Sequence, residues 1–264
     1  ARTTLNWFDY TLKDVKNEYA SGSPVRLFVM GDNVWRDERE FPLARTRYTS
    51  YYLHSGRGAN GVKGDGELDT TPPAVERADQ FDYDPAKPVP TIGGRLCCGD
   101  VLPPGPFDQR PNEARPDVLV FSTPRLEHDL EVTGFINVEL YAASSAVDTD
   151  FTALLADVDV NGYARFITDG IVRARYRETT IQPGRLVPGR VYKYTIDLWA
   201  TSNVFKAGHQ LRLYISSSNF PRFNRNLNTG EQMFGSSRFL TAHQTIYHDV
   251  SNRSALILPI IPKP

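Results

Sequence analysis

Asp148 and Asp150 form a carboxylate pair that could support chemistry. They flank Thr149 just before an apolar run, so both side chains lie near the start of one predicted strand. Such a pair could ligate Ca²⁺ or act in general acid–base catalysis. Carboxylates near the rim of a β-sandwich more often hold loops through bidentate contacts with arginine, so we predict a structural polar network. Its predicted members are Asp148, Asp150, Arg173, Arg175, Arg222 and Arg225.

Ser216, Ser217 and Ser218 are candidates for a serine nucleophile, and His209 is the candidate base. An α/β-hydrolase serine requires the strand-to-helix elbow G-x-S-x-G, and that pattern does not occur in the sequence. The three serines are therefore predicted to be hydrogen-bonding groups at a strand end, and His209 a turn residue. We expect this chain to be catalytically inactive on its own.

Metal ions and cofactors are not expected. Cys97 and Cys98 are adjacent, and a bridge between neighbouring cysteines is strained, so both are interpreted as reduced thiols. The five histidines lack the H-E-x-x-H or H-x-H spacing of zinc sites. The sequence therefore predicts neither a metal site nor a cofactor.

The run GGRLCCG at residues 93–99, called the glycine loop below, places glycines on both sides of a small apolar tip. Buried packing, with the thiols acting as small hydrophobic groups, is the simplest interpretation. The loop lies within residues 54–117, which are rich in glycine and proline. A long loop of this kind in a compact domain is usually functional or disordered, and we favour function.

The elements that must position these residues are mostly strands. Leu5, Phe8, Leu12 and Val15 recur at helical spacing, which predicts one amphipathic helix within residues 1–22, docked on the sandwich. After residue 24, alternating apolar runs separated by turns predict two packed antiparallel sheets. The predicted strands are 25–30, 46–53, 118–122, 132–142, 151–158, 163–168, 170–175, 191–198, 210–216 and 255–260.

Two polar segments are expected outside the core. Residues 222–230 contain arginines and asparagines that suit tight turns, and they are predicted to form a polar edge loop. Residues 35–42 alternate charges after Trp35, and we expect salt-bridged packing beneath this tryptophan.

Several long motifs resemble one family of hydrolases. These motifs are SNVFKAGHQLRLYISSSNFPRFNRN, SSAVDTDFTALLADV, DGIVRARYRE, VRLFVMGDNVWRDEREFPLARTRYTSYYL, DQRPNEARPDVLVFST and LILPI. They resemble the C-terminal domain of the cocaine esterase-like and X-Pro dipeptidyl-peptidase-like serine hydrolases. The resemblance covers nearly the whole chain.

This resemblance implies an all-β fold, a galactose-binding-like jelly-roll β-sandwich. It also implies that residues 1–22 correspond to the last helix of a preceding α/β-hydrolase domain and residues 23–264 to the C-terminal jelly roll. In the family, the loop matching Leu96, Cys97 and Cys98 helps to wall the acyl pocket. Family members carry bulkier apolar residues there, so the resemblance does not determine the shape of this pocket.

Two hypotheses of function follow. The first is a non-catalytic C-terminal domain of a serine hydrolase acting on esters, amides or X-Pro peptides, with the catalytic domain as its partner. The second is an independent carbohydrate-binding jelly roll, because Trp35, Trp199 and the tyrosines could stack on sugars, although they also fit core positions. The sequence leaves open whether the chain forms a homo-oligomer.

Composition argues against other classes of partner. Thirty basic and thirty-one acidic residues give a net charge of −1, so we expect neither nucleic acid nor a membrane surface as a partner. No apolar run approaches the roughly 20 residues needed to span a bilayer, and no signal-peptide pattern is visible. A cytoplasmic location is the resulting expectation.

Overall fold

A computed structural model describes residues 2–95, 102–231 and 236–262, and strands dominate it. Short 3₁₀ helices cover Glu18–Ala20, Arg110–Asn112 and Ala174–Tyr176. The longer elements are α1 (Arg2–Lys13), β1 (Val25–Val29), β2 (Val34–Glu38), β3 (Arg47–His54), β4 (Glu67–Asp69), β5 (Asp79–Tyr83), β6 (Leu119–Ser122), β7 (Leu130–Ser144), β8 (Asp150–Val158), β9 (Ala164–Arg173), β10 (Tyr192–Phe205), β11 (Gln210–Ser216), β12 (Ala242–Tyr247) and β13 (Ala255–Ile261).

In the described part of the chain, strands β3 to β13 form one continuous hydrogen-bonded ladder. Its order is β5-β12-β7-β13-β3-β4-β6-β11-β8-β9, and β10 pairs with the other edge of β7. The pairs are antiparallel except for a single parallel step between β4 and β6. Strand β7 is the centre of one half, because β10 follows one of its edges while β12 and β13 share the other.

The two halves of the ladder face each other across one hydrophobic core. Alternate residues of β7 and β11, such as Leu140 and Leu213, are completely buried in the same cluster. Phe151 on β8 and Tyr194 on β10 close the core, with their rings 4.9 Å apart. The predicted all-β jelly-roll sandwich is therefore confirmed.

The described parts of residues 54–117, which are 54–95 and 102–117, are more ordered than their composition suggests. They contain β4 and β5, and Phe81 and Tyr83 of β5 reach the main core. Val89 packs on the outer face of the sheet, against Val118 and Tyr214. These two described stretches are therefore built into the sandwich and cover part of it.

The N-terminal region, residues 2–38, lies largely outside the core. Hydrogen bonds from Asn6 to Glu18 and from Asn17 to Asn6 attach α1 to the following 3₁₀ turn. None of the α1 residues is buried, and Leu12 is 75% exposed, so the expected docking of this helix on the sandwich is wrong. Its apolar stripe stays largely exposed, with Leu5 at 57%, Phe8 at 44% and Leu12 at 75%.

Two other expectations also fail. Trp35 and Trp199 are not core residues, because they are 63% and 61% exposed. Residues 222–230 are not entirely a surface loop, because Asn226 and Asn228 are almost completely buried. Their amides are accommodated because buried carboxylates and carbonyls accept their hydrogen bonds.

Candidate functional site

Asp150 is paired with an arginine by the register of the sheet. It begins β8 directly opposite Arg173, the last residue of β9. Arg173 donates from Nε to Oδ1 at 2.9 Å and from its terminal NH₂ group to Oδ2 at 3.0 Å. Burial raises the pKa of Asp150, whereas Arg173 acts to lower it. The bidentate pair keeps this buried carboxylate supplied with donors.

Asp148, two residues earlier in the chain, has a similar set of partners. Arg175 donates its backbone N–H to Oδ1 at 3.1 Å and its Nε to Oδ2 at 2.8 Å. The Nδ2 of Asn226 links the two carboxylates, 3.0 Å from Asp148 and 2.8 Å from Asp150. The arrangement uses the oxygens of both carboxylates to hold the rim of the sandwich.

The other two predicted members of this network have different partners. Nε of Arg222 lies 2.8 Å from Oδ2 of Asp169, at ion-pair distance but without hydrogen-bond alignment. Arg225 donates to the carbonyl of Pro85 at 2.7 Å. The structure thus brings Asp148, Asp150, Arg173 and Arg175 together and places Arg222 in a separate cluster.

The serines at the end of β11 are engaged in hydrogen bonds. Ser216 donates to the carbonyl of Asp117 at 2.7 Å, and Gln244 donates to Oγ of Ser217 at 3.0 Å. His209 immediately precedes the start of the same strand, so at 3.3 Å per residue it lies about 23 to 30 Å from these serines. Its Nδ1 contacts Oδ1 of Asp157 at 2.8 Å. His209 therefore cannot act as a base for these serines.

Sequence reasoning missed a buried histidine cluster. His248 is held between two carboxylates, with Nδ1 3.1 Å from Glu76 and Nε2 2.9 Å from Asp79. His54 contacts the same Glu76 through Nδ1 at 2.7 Å. Both partners of His248 can only accept when ionised, so the imidazolium form satisfies both contacts.

Titration of His248 reflects this environment. Burial acts to lower its pKa, but Asp79 and Glu76 together raise it above the ordinary value. Its partners are distant in sequence, so spacing gave no signal. Within the described ranges, no group of three or more His, Cys, Asp or Glu side chains is arranged to hold a metal ion.

The tip of the glycine loop, with Leu96, Cys97 and Cys98, lies outside the described residues. Its stem is well defined, because Gly94 and Gly105 exchange backbone hydrogen bonds of 2.7 and 3.0 Å. An open cleft of about 540 Å³ borders this stem and is also lined by Phe166, Arg165 and His209. The loop therefore leaves the sandwich beside a concave surface.

This sandwich matches a described protein family. Residues 17–257 match the model of the X-Pro dipeptidyl-peptidase C-terminal non-catalytic domain. The chain belongs to this family. Relatives of this C-terminal domain family include the cocaine esterase of Rhodococcus sp. (strain MB1 Bresler), which is 46% identical over 99% of this chain. The chain corresponds to only 46% of that esterase.

Two solved structures have the same fold as this C-terminal domain. An aminopeptidase from a marine sediment archaeon, Thaumarchaeota archaeon, superposes with a TM-score of 0.84 and 27% identity over 98% of this chain and 43% of that protein. An α-amino acid ester hydrolase gives a TM-score of 0.83 and 27% identity over 96% of this chain and 43% of its own. The chain thus spans less than half the length of these relatives. No helix among the described residues could span a membrane.

Proposed function

We propose that this chain is the C-terminal part of a serine hydrolase that cleaves esters, and that it packs on an upstream α/β-hydrolase domain and helps to wall its acyl pocket. The observation that carries the proposal is the 46% identity to cocaine esterase over 99% of the chain. The similar α-amino acid ester hydrolase supports ester substrates for this protein, whereas the similar aminopeptidase supports amides as the alternative. Catalysis belongs to the upstream domain, because the nucleophile elbow is absent here.

The N-terminal region supports the packing. Leu5, Phe8 and Leu12 form an exposed apolar stripe on α1, and Trp35 and Phe28 form an exposed edge-to-face pair on β1 and β2 with ring centroids 5.3 Å apart. Patches of this kind typically mark interfaces. The proposed occupant is the catalytic domain, since the family is defined as a C-terminal domain and less than half of a relative is represented here.

The glycine loop is the proposed pocket wall. Leu96, Cys97 and Cys98 correspond to the family loop that reaches the acyl pocket, and two of the three side chains are small. Smaller walls leave room for larger acyl groups. We therefore propose that the parent enzyme accepts bulkier acyl groups than relatives with larger residues at these positions.

The test compares the chain alone with the complete hydrolase. Substrates are p-nitrophenyl acetate, p-nitrophenyl benzoate, an amino acid methyl ester and an X-Pro p-nitroanilide. We expect the complete enzyme to cleave the esters and the isolated chain to cleave none of the substrates. Preferential cleavage of the X-Pro amide would favour the peptidase named in the family description. Turnover by the chain alone that disappears in Ser217→Ala would contradict the proposal.

The carbohydrate-binding hypothesis is included in the same test because Trp199 is exposed. Titration of the chain with soluble oligosaccharides, followed by tryptophan fluorescence, should give no saturable change. A saturable change that is lost in Trp199→Ala would favour a sugar-binding module.

A further inference from the structure

The cleft of about 540 Å³ between β9, β10 and the β1–β2 turn has an unbalanced positive charge. The described residues that line it include one acidic group, Asp157, and four basic groups, which are Arg95, Arg165, Lys206 and His209. Three of the basic groups have carboxylate partners, which are Asp169 for Arg95, Asp129 for Lys206 and Asp157 for His209. Arg165 is the exception, so one cation in the cleft is left without an anion.

Arg165 is positioned by an aromatic ring instead of by an ion pair. It is the second residue of β9 and is exposed. Its guanidinium lies over the ring of Tyr163, with Cζ 5.4 Å from the ring centroid. Asp157, directly opposite on β8, is bonded to His209 instead. Within the described part of the chain the guanidinium of Arg165 makes no hydrogen bond or ion pair, so its planar set of N–H donors is available to a ligand.

Asn203 adds a buried donor that has no partner. This β10 residue lines the same cleft and is only 4% exposed. Its Nδ2 has no hydrogen-bond partner among the described residues. A buried donor without an acceptor is costly, and such a group in a native structure requires an explanation. An oxygen atom of a bound ligand would supply the missing acceptor.

The remaining walls are largely apolar and firmly attached. The apolar lining residues are Met30, Phe166, Ile167 and Val204. Met30 precedes the β1–β2 turn, and its backbone bonds to β10 through N–H to the carbonyl of Ser202 at 3.0 Å and through its carbonyl to N–H of Val204 at 2.8 Å. Gly31 approaches β10 so closely that a Cβ would lie 2.2 Å from the carbonyl oxygen of Val204. This wall is therefore fixed to the sandwich, and the cleft is preformed on that side.

We infer that this cleft is a binding site for a small monocarboxylic acid that carries an apolar group. The carboxylate pairs with Arg165 and accepts a hydrogen bond from Nδ2 of Asn203, while the apolar group packs against Phe166 and Val204. A carboxylate suits the site because its single charge balances the one unpaired cation and its planar edge matches a guanidinium. The volume is within the range of small-molecule sites. The inference depends on the cleft alone and not on the proposed function.

The direct test is calorimetric titration of the 264-residue chain with 3-phenylpropionate. We expect saturable binding at one site per chain. Acetate lacks the apolar group, and 3-phenylpropan-1-ol lacks the charge. Each should bind at least about tenfold more weakly, because each loses one of the two contributions to affinity. An alcohol that binds as tightly as the acid would contradict recognition of a carboxylate.

Arg165→Gln and Asn203→Leu test the two polar contacts. Arg165→Gln removes the charge and should weaken binding of 3-phenylpropionate at least about tenfold. Asn203→Leu replaces an unpaired buried amide by an apolar group of similar size, so it should weaken binding about three- to tenfold without lowering the melting temperature. A structural role for this amide would instead lower the melting temperature and leave the affinity unchanged.

Arg190→Gln is the matched control. The guanidinium of this exposed arginine also lies over a tyrosine, 5.2 Å from the ring centroid of Tyr192, but Arg190 is not among the residues that line the cleft. Its replacement removes the same charge from the chain. The affinity for 3-phenylpropionate should therefore match the wild type.

A second titration uses the complete hydrolase after treatment with phenylmethylsulfonyl fluoride, which blocks a reactive serine. Binding of 3-phenylpropionate that persists after this treatment and is lost in Arg165→Gln supports the cleft as the site, whether or not the enzyme cleaves esters. Failure of the proposed function is thus distinguished from failure of this inference.

Three results would overturn the inference. They are the absence of saturable binding to the 264-residue chain, equal affinity in the wild type and Arg165→Gln, and binding to the chain that is absent in the complete hydrolase. The last result would show that the rest of the protein covers the cleft and that no free acid occupies it.

Discussion

Apolar side chains are buried in the sandwich but largely exposed in the N-terminal region. In the sandwich, Leu213 of β11 is fully buried and has apolar neighbours from both halves of the ladder. In the N-terminal region, the apolar stripe of α1 and the Trp35–Phe28 pair face outward. Charged groups follow the same division. Asp150 is buried against Arg173, whereas the ion pair of Asp9 and Lys13 on α1 lies at the surface.

This difference shows where stability is generated within the chain. Burial of apolar surface is the main favourable term in folding, and the sandwich accounts for nearly all of it here. The N-terminal region contributes few buried side chains, and its contacts with the sandwich include the bidentate pair of Arg36 with Glu131 and the backbone bonds of Met30. The following predictions test this division, beginning with the largest expected effect.

Asp150→Ala should be the most damaging change. It leaves the partly buried guanidinium of Arg173 without its bidentate partner and removes an acceptor from Asn226. Removing one member of a buried pair costs about 3–5 kcal/mol, which should appear as a lower free energy of unfolding in urea. Asp9→Ala is the matched change in the N-terminal region and should cost about 0.5 kcal/mol or less. Equal losses at the two positions would contradict the division.

Leu213→Ala should be the next most damaging. It opens a cavity in the centre of the core, and substitutions of this kind cost about 2–5 kcal/mol. Leu12→Ala deletes the same atoms from a side chain that is 75% exposed and should change stability by about 0.5 kcal/mol at most. A large loss for Leu12→Ala would mean that α1 is covered even in the isolated chain.

His248→Gln should make stability depend less on pH. The folded pKa of His248 is raised, so the protonated ring contributes stability that is fully present below the unfolded value of about 6.5 and is lost as pH rises through the folded pKa. The groups facing the ring are Asp79, Glu76 and Ser55. The variant should be about 1–3 kcal/mol less stable than wild type at pH 6, with a smaller difference at pH 9.

Urea titrations at the two pH values provide the measurement for His248→Gln. His128 is exposed on a loop, and His128→Gln is the surface control that should change stability by about 0.5 kcal/mol or less. A wild-type advantage over His248→Gln that is the same at pH 6 and pH 9 would show that the two carboxylates do not hold a charged ring.

Replacing Leu5, Phe8 and Leu12 together with serine should change stability less than the three sandwich variants Asp150→Ala, Leu213→Ala and His248→Gln. Because these residues cover no core, the isolated chain should lose about 1 kcal/mol or less. Its binding of 8-anilinonaphthalene-1-sulfonate, which reports exposed apolar surface, should fall clearly. Replacement of Thr4 and Thr11 by serine in α1 provides a control that should leave dye binding unchanged. Unchanged binding in the triple variant would place the exposed apolar surface elsewhere.

The strands that could be predicted are those with clear alternation. The alternation of apolar and polar residues in QLRLYIS predicts the bounds of β11 correctly, because the two faces of this strand have different surroundings. Strand β2 was missed because the alternating charges of residues 35–42 suggested salt-bridged packing, although cross-strand pairing with β1 makes VWRDE the second strand of a hairpin. Strands β4 and β5 are short and lie among glycines and prolines, so tertiary pairing defines them more than local preference does.

The polar sites show the same limit. Arg173 and Arg175 alternate along β9 and its end, and their contacts with Asp150 and Asp148 follow from strand register. The partners of Arg222 and His248 could not be inferred, because they depend on how distant segments meet in space. The burial of Asn226 was missed for a related reason. Its side chain is polar, which suggests exposure, but its amide donates hydrogen bonds to two carboxylates and can therefore be buried.

Strand β13 has a consequence for how the chain is made. It is inserted between β3 and β7, so the last strand of the described residues occupies the middle of its sheet. During synthesis, the edges of β3 and β7 that pair with β13 stay unpaired until residues 255–261 leave the ribosome, and unpaired edges of this kind invite association with other chains. Pairings so distant in sequence also fold slowly. Removal of residues 255–262 should therefore give an aggregating product instead of a slightly shortened sandwich, and newly made chains should depend on chaperones until β13 is in place.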